Sequence, residues 1–222
     1  MAAGEAVLMS WSGGKDSAVA LWELQREGRE IAGLMTMVAG ETDRVSVHGV
    51  PRDLVRRQAV ALGLPLFEVE LPSRPSNVEY EAALGALFAL QKARGVETVA
   101  FGDLFLEDIR AYRDGLCARL GMAPIYPVWG RETRAFAAEC GAYGFRTVLC
   151  CVDLARLDLS FTGRELDEAL VADLPAGVDP CGENGEFHTF VFDGPNFSHP
   201  VPIEVGAREA RDGFGYCAIR AA

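Results

Sequence analysis

Short apolar runs recur along the first 129 residues, and they constrain the fold more than any other feature of the chain. We predict strands at residues 6–10 (AVLMS), 31–38 (IAGLMTMV), 65–71 (PLFEVEL), 96–104 (VETVAFGDL) and 123–129 (APIYPVW). Strands that are apolar almost throughout, and that alternate with helices, favour a parallel sheet covered on both faces. The predicted fold class is therefore α/β, with a Rossmann-like sheet.

Helix signals fill the stretches between these runs. We predict helices at residues 16–27, 51–63, 76–94 and 107–120, with a glycine at or just after the end of each. Ser76 and Glu79 have the spacing of a capping box at the start of the third helix. A sheet of this kind binds ligands at the carboxyl ends of its strands, so the loops that follow the strands are the places to look for a site.

The pattern changes after Trp129. We predict a helix at 131–145, a strand at 146–154 and a helix at 162–175 that begins near Thr162 or Gly163. Three short strands follow, within residues 186–195, 201–205 and 214–220. The predicted organisation is a nucleotide-binding domain at residues 1–128 and a smaller α+β domain at 129–222.

Composition excludes several classes of protein. The 222 residues carry a formal net charge of −11, which argues against a broad nucleic-acid surface. The longest weakly polar run, residues 31–40, is too short to span a bilayer, and no signal peptide is recognised, so we expect a cytoplasmic protein that binds neither nucleic acid nor membrane. Six cysteines without a C-x-x-C pair favour buried reduced thiols, with a chemical role for Cys181 left open.

The stretch SWSGGKDS, residues 10–17, lies between the first predicted strand and the first predicted helix. Glycines there let the backbone approach a ligand closely, and a helix amino terminus favours anions. The stretch is not a Walker A loop, and a glycine-rich turn with a helix cap is the weaker interpretation. The predicted anion ligands are Ser10, Ser12, Gly13, Gly14, Lys15, Asp16 and Ser17.

This stretch resembles the PP-loop, S-G-G-x-D-S, of the N-type ATP pyrophosphatases. The resemblance implies an adenine nucleotide alpha hydrolase-like fold in which the loop holds the β- and γ-phosphates of ATP. It also implies chemistry at the α-phosphorus with release of pyrophosphate. ATP and Mg²⁺ are the cofactors we expect, and Asp16 is the candidate ligand for Mg²⁺.

Three further stretches narrow the resemblance. They are VHG (47–49) with QAVALGLPL (58–66), then residues 101–132, and DPCGENGEFHTFVFDGPNF (179–197). Together with the loop, they resemble the diphthine–ammonia ligase family along almost the whole chain. The resemblance implies that ATP adenylates the carboxylate of diphthine and that ammonia then displaces AMP. The implied partners are ATP, ammonia and, if the organism makes diphthamide, elongation factor 2.

Candidate site residues outside the loop come from position and from the resemblance. The candidate catalytic residues are Glu183, Glu186, His188 and Asp103; those for ATP are Thr36 and Gly102; those for the substrate are His48, Arg110, Arg113, Asn184 and Thr189. The acids and the imidazole could orient ammonia and take its proton. A solvated turn, a helix cap and a salt-bridged helix face are the competing interpretations. We expect residues 181–190 to face the glycine-rich loop across a cleft between the domains.

Other functions stay open. A PP-loop enzyme that modifies tRNA is the nearest rival, although it would favour a basic tract and C-x-x-C pairs that this chain lacks. A nucleotide sensor without catalysis, and a hydrolase that releases AMP, are the other two. The sequence leaves the acceptor undetermined, and it leaves the oligomeric state open to a homodimer.

Overall fold

The computed structural model describes residues 6–45, 49–72 and 74–222. The first sheet consists of β1 (Val7–Ser10), β2 (Ile31–Ala39), β3 (Arg44–Val45), β4 (Leu66–Leu71), β5 (Thr98–Ala100) and β6 (Ala123–Ile125). All five strands predicted for this region are present, and four are shorter than predicted. The two-residue strand β3 was not predicted, because a pair of residues carries no periodicity.

The order of the strands determines where a ligand can bind. Strand β1 pairs with β2 on one side and with β5 on the other, and both pairings are parallel. Strands β4 and β6 continue the sheet outward in parallel from β2 and β5, while β3 pairs antiparallel with the end of β2. The sheet thus grows outward on both sides of β1. The topological switch point, where the strand order reverses, lies between β1 and β5, at their carboxyl ends.

Four helices cover the two faces of this sheet, as predicted. They are α1 (Lys15–Arg26), α2 (Arg52–Leu62), α3 (Asn77–Lys92) and α4 (Glu107–Leu120). Alternate residues of β1 serve the two faces: Val7 and Met9 pack with α1 and α2, whereas Leu8 packs with α3 and α4. The capping box predicted at the start of α3 is also present, since Ser76 and Glu79 exchange hydrogen bonds.

The second half is α+β, as predicted. It contains α5 (Thr133–Ala142), β7 (Arg146–Asp153), α6 (Glu168–Asp173), β8 (Phe187–Asp193), β9 (Ile203–Arg211) and β10 (Phe214–Ala221). The four strands form an antiparallel sheet in the order β8-β7-β10-β9. Val148 and Phe190 of this sheet share one core with Val7 and with α1, so the two halves pack on each other. The domain boundary after residue 128 stays a prediction; it falls between β6 and α5.

The helix predicted at 162–175 was wrong in its first half. Residues 163–166 lie alongside β7 instead: Gly163 and Leu166 donate backbone hydrogen bonds to the carbonyls of Leu149 and Thr147. Helix α6 begins only after Asp167, whose carboxylate accepts from the N–H of Leu170. The pairing with β7 competes with helix formation, and periodicity along the chain does not reveal such a partner.

Two predictions from composition can be compared with the structure. All six cysteines are free and buried, which confirms the prediction of reduced thiols. Within the described residues, no helix has both the length and the apolar character needed to cross a bilayer.

The packing of α3 predicts a contrast between two of its side chains. Phe88 is almost fully buried against the sheet, whereas Leu90 is 48% exposed. Phe88→Ala should lower the free energy of unfolding in urea by about 3–5 kcal/mol because it leaves a cavity. Leu90→Ala should change it by less than about 0.5 kcal/mol. Equal losses in the two variants would contradict the assigned face of α3.

Candidate active site

A polar cavity of about 390 Å³ opens at the switch point of the first sheet. It is lined from the first half by Ser10, Ser12, Lys15, Asp16, Ser17, Gly102, Asp103, Leu106, Ile109 and Arg113, and from the second half by Cys181, Gly182, Glu183, Gly185, Phe187, His188 and Thr189. Residues from the 181–190 segment therefore face the glycine-rich loop across one cleft. This is the arrangement expected from the sequence.

The loop is held in a conformation that depends on glycine. Gly13 has φ = +80°, and a Cβ there would lie 2.8 Å from the side-chain oxygen of Gln58. Gly14 caps α1, and its N–H donates to the hydroxyl of Ser12 at 3.2 Å. Ser12 and Ser17 place their hydroxyls 3.2 Å apart. The amino terminus of α1 and these hydroxyls point to one place, which suits an anion.

Gly102 is required by its contact with α1. A Cβ at this position would lie 2.8 Å from the backbone carbon of Asp16 and from the backbone nitrogen of Ser17. Backbone atoms at the start of a helix cannot move aside cheaply. The turn after β5 and the glycine-rich loop are thus in contact, and Gly102 sets their separation.

Lys15 is buried, and its ammonium points toward the second half of the chain. It donates to both oxygens of Asp16, at 2.8 and 2.9 Å, and to the carbonyl of Cys181. Burial acts to lower the pKa of Lys15, but the charge of Asp16, which also accepts its hydrogen bonds, acts in the other direction, and the pKa stays above its usual value. The charge of Lys15 therefore persists at neutral pH and ties the loop to residues 181–183.

Strand β8 forms the opposite wall of the cleft. Its Thr189 hydroxyl accepts from the N–H of Lys15 at 3.1 Å, and its Val191 N–H donates to the carbonyl of Gly13 at 2.9 Å. Since β8 is an edge strand of the second sheet, the glycine-rich loop satisfies part of that edge. Thr189, predicted as a substrate residue, contacts the loop directly.

Gln58 is part of this arrangement and was not predicted. It is fully buried on α2; its amide nitrogen donates to the carbonyls of Gly13 and Val191, at 3.0 and 2.6 Å. Its amide oxygen accepts from the indole N–H of Trp11 at 2.9 Å. A glutamine on the apolar face of a helix was the available signal, because buried polar groups need hydrogen-bond partners.

Glu183 carries the most perturbed carboxyl group in the cavity. Its Oε2 accepts from the N–H of Leu104 at 3.4 Å. Burial raises the pKa of Glu183 to about 8; the charge of Asp16 adds to the rise, and Lys15 opposes it. A carboxyl group with a pKa near neutrality can both accept and donate a proton, which is the property expected of an acid–base group.

Asp103 and Arg113 form an ion pair at the same edge of the cavity. Arg113 Nε lies 3.2 Å from Asp103 Oδ2, and its guanidinium lies over the ring of Phe101 at 4.3 Å. Burial raises the pKa of Asp103, while Arg113 opposes the rise. Arg113 therefore brings a second cation to the cavity, besides Lys15.

Glu186 is placed differently from its predicted neighbours. Its carboxylate is buried and accepts from the N–H groups of Asp179 and Asn184, at 3.1 and 3.0 Å, and from the side chain of Asn184 at 3.2 Å. Neither Glu186 nor Asn184 lines the cavity. These contacts favour a role in ordering the 179–186 turn, and catalysis by Glu186 stays an untested prediction.

Three other predicted residues lie away from the cavity or outside the described chain. Thr36 is buried within β2 and does not line the cavity. Arg110 packs over the rings of Tyr126 and Trp129, at 4.9 and 4.5 Å, and does not line it either. His48 lies outside the described residues.

Cys181 lines the cavity but is poorly suited to act as a nucleophile. Burial raises the pKa of its thiol, and Lys15 offsets the rise only in part. The thiol donates to the carbonyl of Thr133 at 3.0 Å. A thiol with a raised pKa is protonated at neutral pH and hence unreactive.

A second, more apolar cavity of about 310 Å³ adjoins the first one through Ser10, Ser12 and Arg113. Its other walls are formed by Trp11, Met35, Met37, Val45, Leu71, Pro75 and Tyr80. Polarizable methionines and an aromatic ring are suited to a flat apolar group. The two cavities together therefore offer a polar and an apolar compartment side by side.

A doubly wound parallel sheet with a polar cleft at its switch point places this chain among the α/β proteins, whose ligand sites lie at this edge of the sheet. Comparison with known protein families identifies the family to which this α/β protein belongs. A model of the diphthamide synthase N-terminal domain matches residues 5–124, and a model of the diphthamide synthase C-terminal domain matches residues 132–222. The chain belongs to the diphthamide synthase family.

Curated relatives agree with this assignment. The chain is 27% identical to the diphthine–ammonia ligase of Danio rerio, over 87% of this chain and 84% of the relative. It is 24% identical to that of Mus musculus, over 87% of this chain and 80% of the relative. The ligase of Schizosaccharomyces pombe is 25% identical over 86% of this chain, which spans 35% of that longer protein.

The contact at Gly102 predicts a strong effect of one methyl group. Gly102→Ala should lower the free energy of unfolding by about 1–3 kcal/mol, because the new Cβ overlaps the backbone at the start of α1. Gly141→Ala in α5 is the matched control, since an added Cβ there meets no atom within 4 Å. It should be neutral or slightly stabilising, by up to about 1 kcal/mol. Urea unfolding measures both; a neutral Gly102→Ala variant would contradict the contact.

Proposed function

We propose that this protein is an ATP-dependent ligase that joins ammonia to a carboxylate and releases AMP and pyrophosphate. The observation that carries the proposal is the shared cleft, in which an anion-binding loop from one half faces an acid–base group from the other. The curated relatives are named diphthine–ammonia ligases, which agrees with this chemistry.

ATP is proposed to bind with its phosphates on residues 12–17 and its adenine in the adjoining apolar cavity. The helix amino terminus, Lys15 and Arg113 would offset the charge of the phosphates. A carboxylate oxygen of the acceptor attacks the α-phosphorus, and the bond between that phosphorus and the bridging oxygen breaks. Pyrophosphate leaves, and the acceptor becomes an acyl adenylate.

The second half reaction requires neutral ammonia close to the adenylate. The nitrogen forms a bond to the acyl carbon, AMP leaves with the electron pair of the broken C–O bond, and one proton must pass from nitrogen to a base. Glu183 is the proposed base, because it lines the cleft and its raised pKa suits proton uptake near neutral pH. His188 and Asp103, which line the same cleft, are proposed to assist in orientation or proton transfer.

Mg²⁺ is proposed to enter with the phosphates of ATP. The side chain proposed to hold it is Asp16, which lines the cleft and is partly exposed. Among residues 6–45, 49–72 and 74–222, no three His, Cys, Asp or Glu side chains are grouped to hold a metal ion. The metal would neutralise charge on the phosphates as pyrophosphate departs.

A protein carrying diphthine is the acceptor suggested by the names of the relatives. If the source organism does not make diphthamide, another carboxylate takes its place and the chemistry is unchanged. A nucleotide sensor is less favoured, because it needs no group such as Glu183 opposite the loop. A cytoplasmic location and a homodimer remain predictions from the sequence.

The choice of bond is the first test. With acceptor and ammonium present, turnover should yield AMP and pyrophosphate. The products can be identified by ³¹P NMR. Lys15→Ala and Asp16→Ala should each reduce this turnover by about a hundredfold or more. The first removes the cation that offsets the charge of the phosphates, and the second removes the proposed ligand of Mg²⁺. Formation of ADP and phosphate by the wild-type protein would contradict the proposal, even if ATP binds tightly.

The raised pKa of Glu183 predicts how the rate depends on pH. At a fixed concentration of neutral ammonia, amide formation should rise as pH increases through about 8, because Glu183 then loses its proton. Glu183→Gln should be slower by about 10²–10⁴ and should lack this rise. A variant that keeps the wild-type rate and profile would exclude Glu183 as the base.

The same group affects stability with a definite sign. Its pKa is raised in the folded state, from near 4.5 to about 8, so the folded protein binds the proton more tightly than the unfolded chain. The contribution of Glu183 to stability is therefore greatest at low pH and falls as pH rises between these values. Glu183→Gln should remove this part of the pH dependence in urea unfolding.

A further inference from the structure

We propose that Gln58 is a positioning residue that couples the glycine-rich loop to strand β8. The proposal rests on the proposed function, since the loop is taken there as the phosphate site. Gln58 is the first residue of the stretch QAVALGLPL, but it was not among the site residues predicted from the sequence. It lies on α2, outside both the loop and the strand, and it does not line the cavity itself.

The amide group of Gln58 bonds to the glycine-rich loop and to strand β8, the two segments whose other residues line the cleft. The amide nitrogen donates to Gly13 of the loop and to Val191 of β8, at 3.0 and 2.6 Å. The amide oxygen accepts from the indole N–H of Trp11, within the 10–17 stretch, at 2.9 Å. One side chain therefore contacts two positions of the loop and the facing strand at the same time.

The burial of this side chain makes the arrangement specific. Gln58 is 0% exposed, so water cannot replace a lost partner. The site needs two donated hydrogen bonds and one accepted bond on a planar group, which only an amide side chain of this length supplies. A carboxylate would face two carbonyl oxygens without a proton, and an apolar side chain would leave three polar groups to find other partners.

The coupling reaches the residues that face the ligand. Val191 lies two residues from Thr189 and three from His188, and both of those side chains line the cleft. The N–H of Val191 also donates to the carbonyl of Gly13, so the amide of Gln58 sits beside the backbone bond that joins the two halves. Removing Gln58 should let the loop and β8 move relative to each other.

Leucine at position 58 tests this directly. Gln58→Leu should raise the Kd for ATP, measured by titration calorimetry, by about tenfold or more. In the ligand-free protein it should also speed amide hydrogen exchange in residues 11–17 and 187–193. Gln91→Leu is the matched control: Gln91 is an equally buried glutamine, on α3, which packs with the core on the other face of the first sheet. It should change neither readout.

Glutamate at position 58 tests the donated bonds without changing size. Near pH 8 a carboxylate at this site cannot donate, so the Kd for ATP should exceed that of the wild-type protein at the same pH by about tenfold. Near pH 6 a buried carboxyl group regains its proton, and the ratio of the two Kd values should fall toward one. Taking the ratio at each pH removes the effect of Glu183, which titrates in both proteins. A residue that merely filled space would not produce this fall in the ratio. The variant also serves if Gln58→Leu fails to fold.

The outcomes separate the two proposals. If the wild-type protein does not bind ATP, the proposed function fails, while hydrogen exchange in the ligand-free variants still decides the role of Gln58. If the wild-type protein binds ATP and Gln58→Leu matches Gln91→Leu in both affinity and exchange, the positioning role is overturned. A Kd for Gln58→Glu that equals the wild-type Kd at both pH 6 and pH 8 would overturn it as well.

Discussion

The hydrogen bond between the N–H of Val191 and the carbonyl of Gly13, at 2.9 Å, is the contact on which the rest of the cleft depends. It joins the turn of the glycine-rich loop to the edge of the second sheet. Lys15 and Thr189 add a second bond beside it, and Gln58 adds a bridge from α2. Because these bonds are buried, separation of the two halves would leave several polar groups without partners.

The electrostatics of the cleft follow from this docking. Lys15 is buried between its own neighbour Asp16 and the backbone of Cys181, so its ammonium donates hydrogen bonds to both halves of the chain. Glu183 is held near Asp16 in a site that water reaches poorly, and its pKa rises in consequence. A positive group at the loop and a titratable carboxyl opposite it thus arise from one interface. Outside this interface, Lys15 would lose its contacts with the second half, and Glu183 would lose the burial that raises its pKa.

Much of the fold could be predicted because its signals are local. Apolar runs marked the strands, glycines such as Gly63 and Gly121 marked helix ends, and Ser76 with Glu79 marked a cap; all of these are present. The predicted helix at 162–175 failed because half of that segment pairs with β7, a partner distant in sequence.

The site could be predicted only in part, for a similar reason. Residues 12–17 and the 181–190 segment were recognised from motifs. Their facing placement was predicted because the second segment carries the acid–base groups Glu183, Glu186 and His188. Glu186 was predicted as a catalytic residue together with His188, but the turn before β8 uses the carboxylate of Glu186 to hold its own N–H groups. Gln58 was missed because its partners, Gly13 and Val191, lie 45 and 133 residues away.

The central claim is that one cleft, built from both halves, holds ATP beside an acid–base group. A crystal structure with α,β-methylene-ATP tests it most directly. The account predicts that the phosphates lie on residues 12–17, that the base lies among Met35, Met37 and Tyr80, and that Glu183 faces the α-phosphorus. Nucleotide bound instead in the larger cavity of about 620 Å³ between α5 and α6, or with its α-phosphorus turned away from residues 181–189, would contradict it.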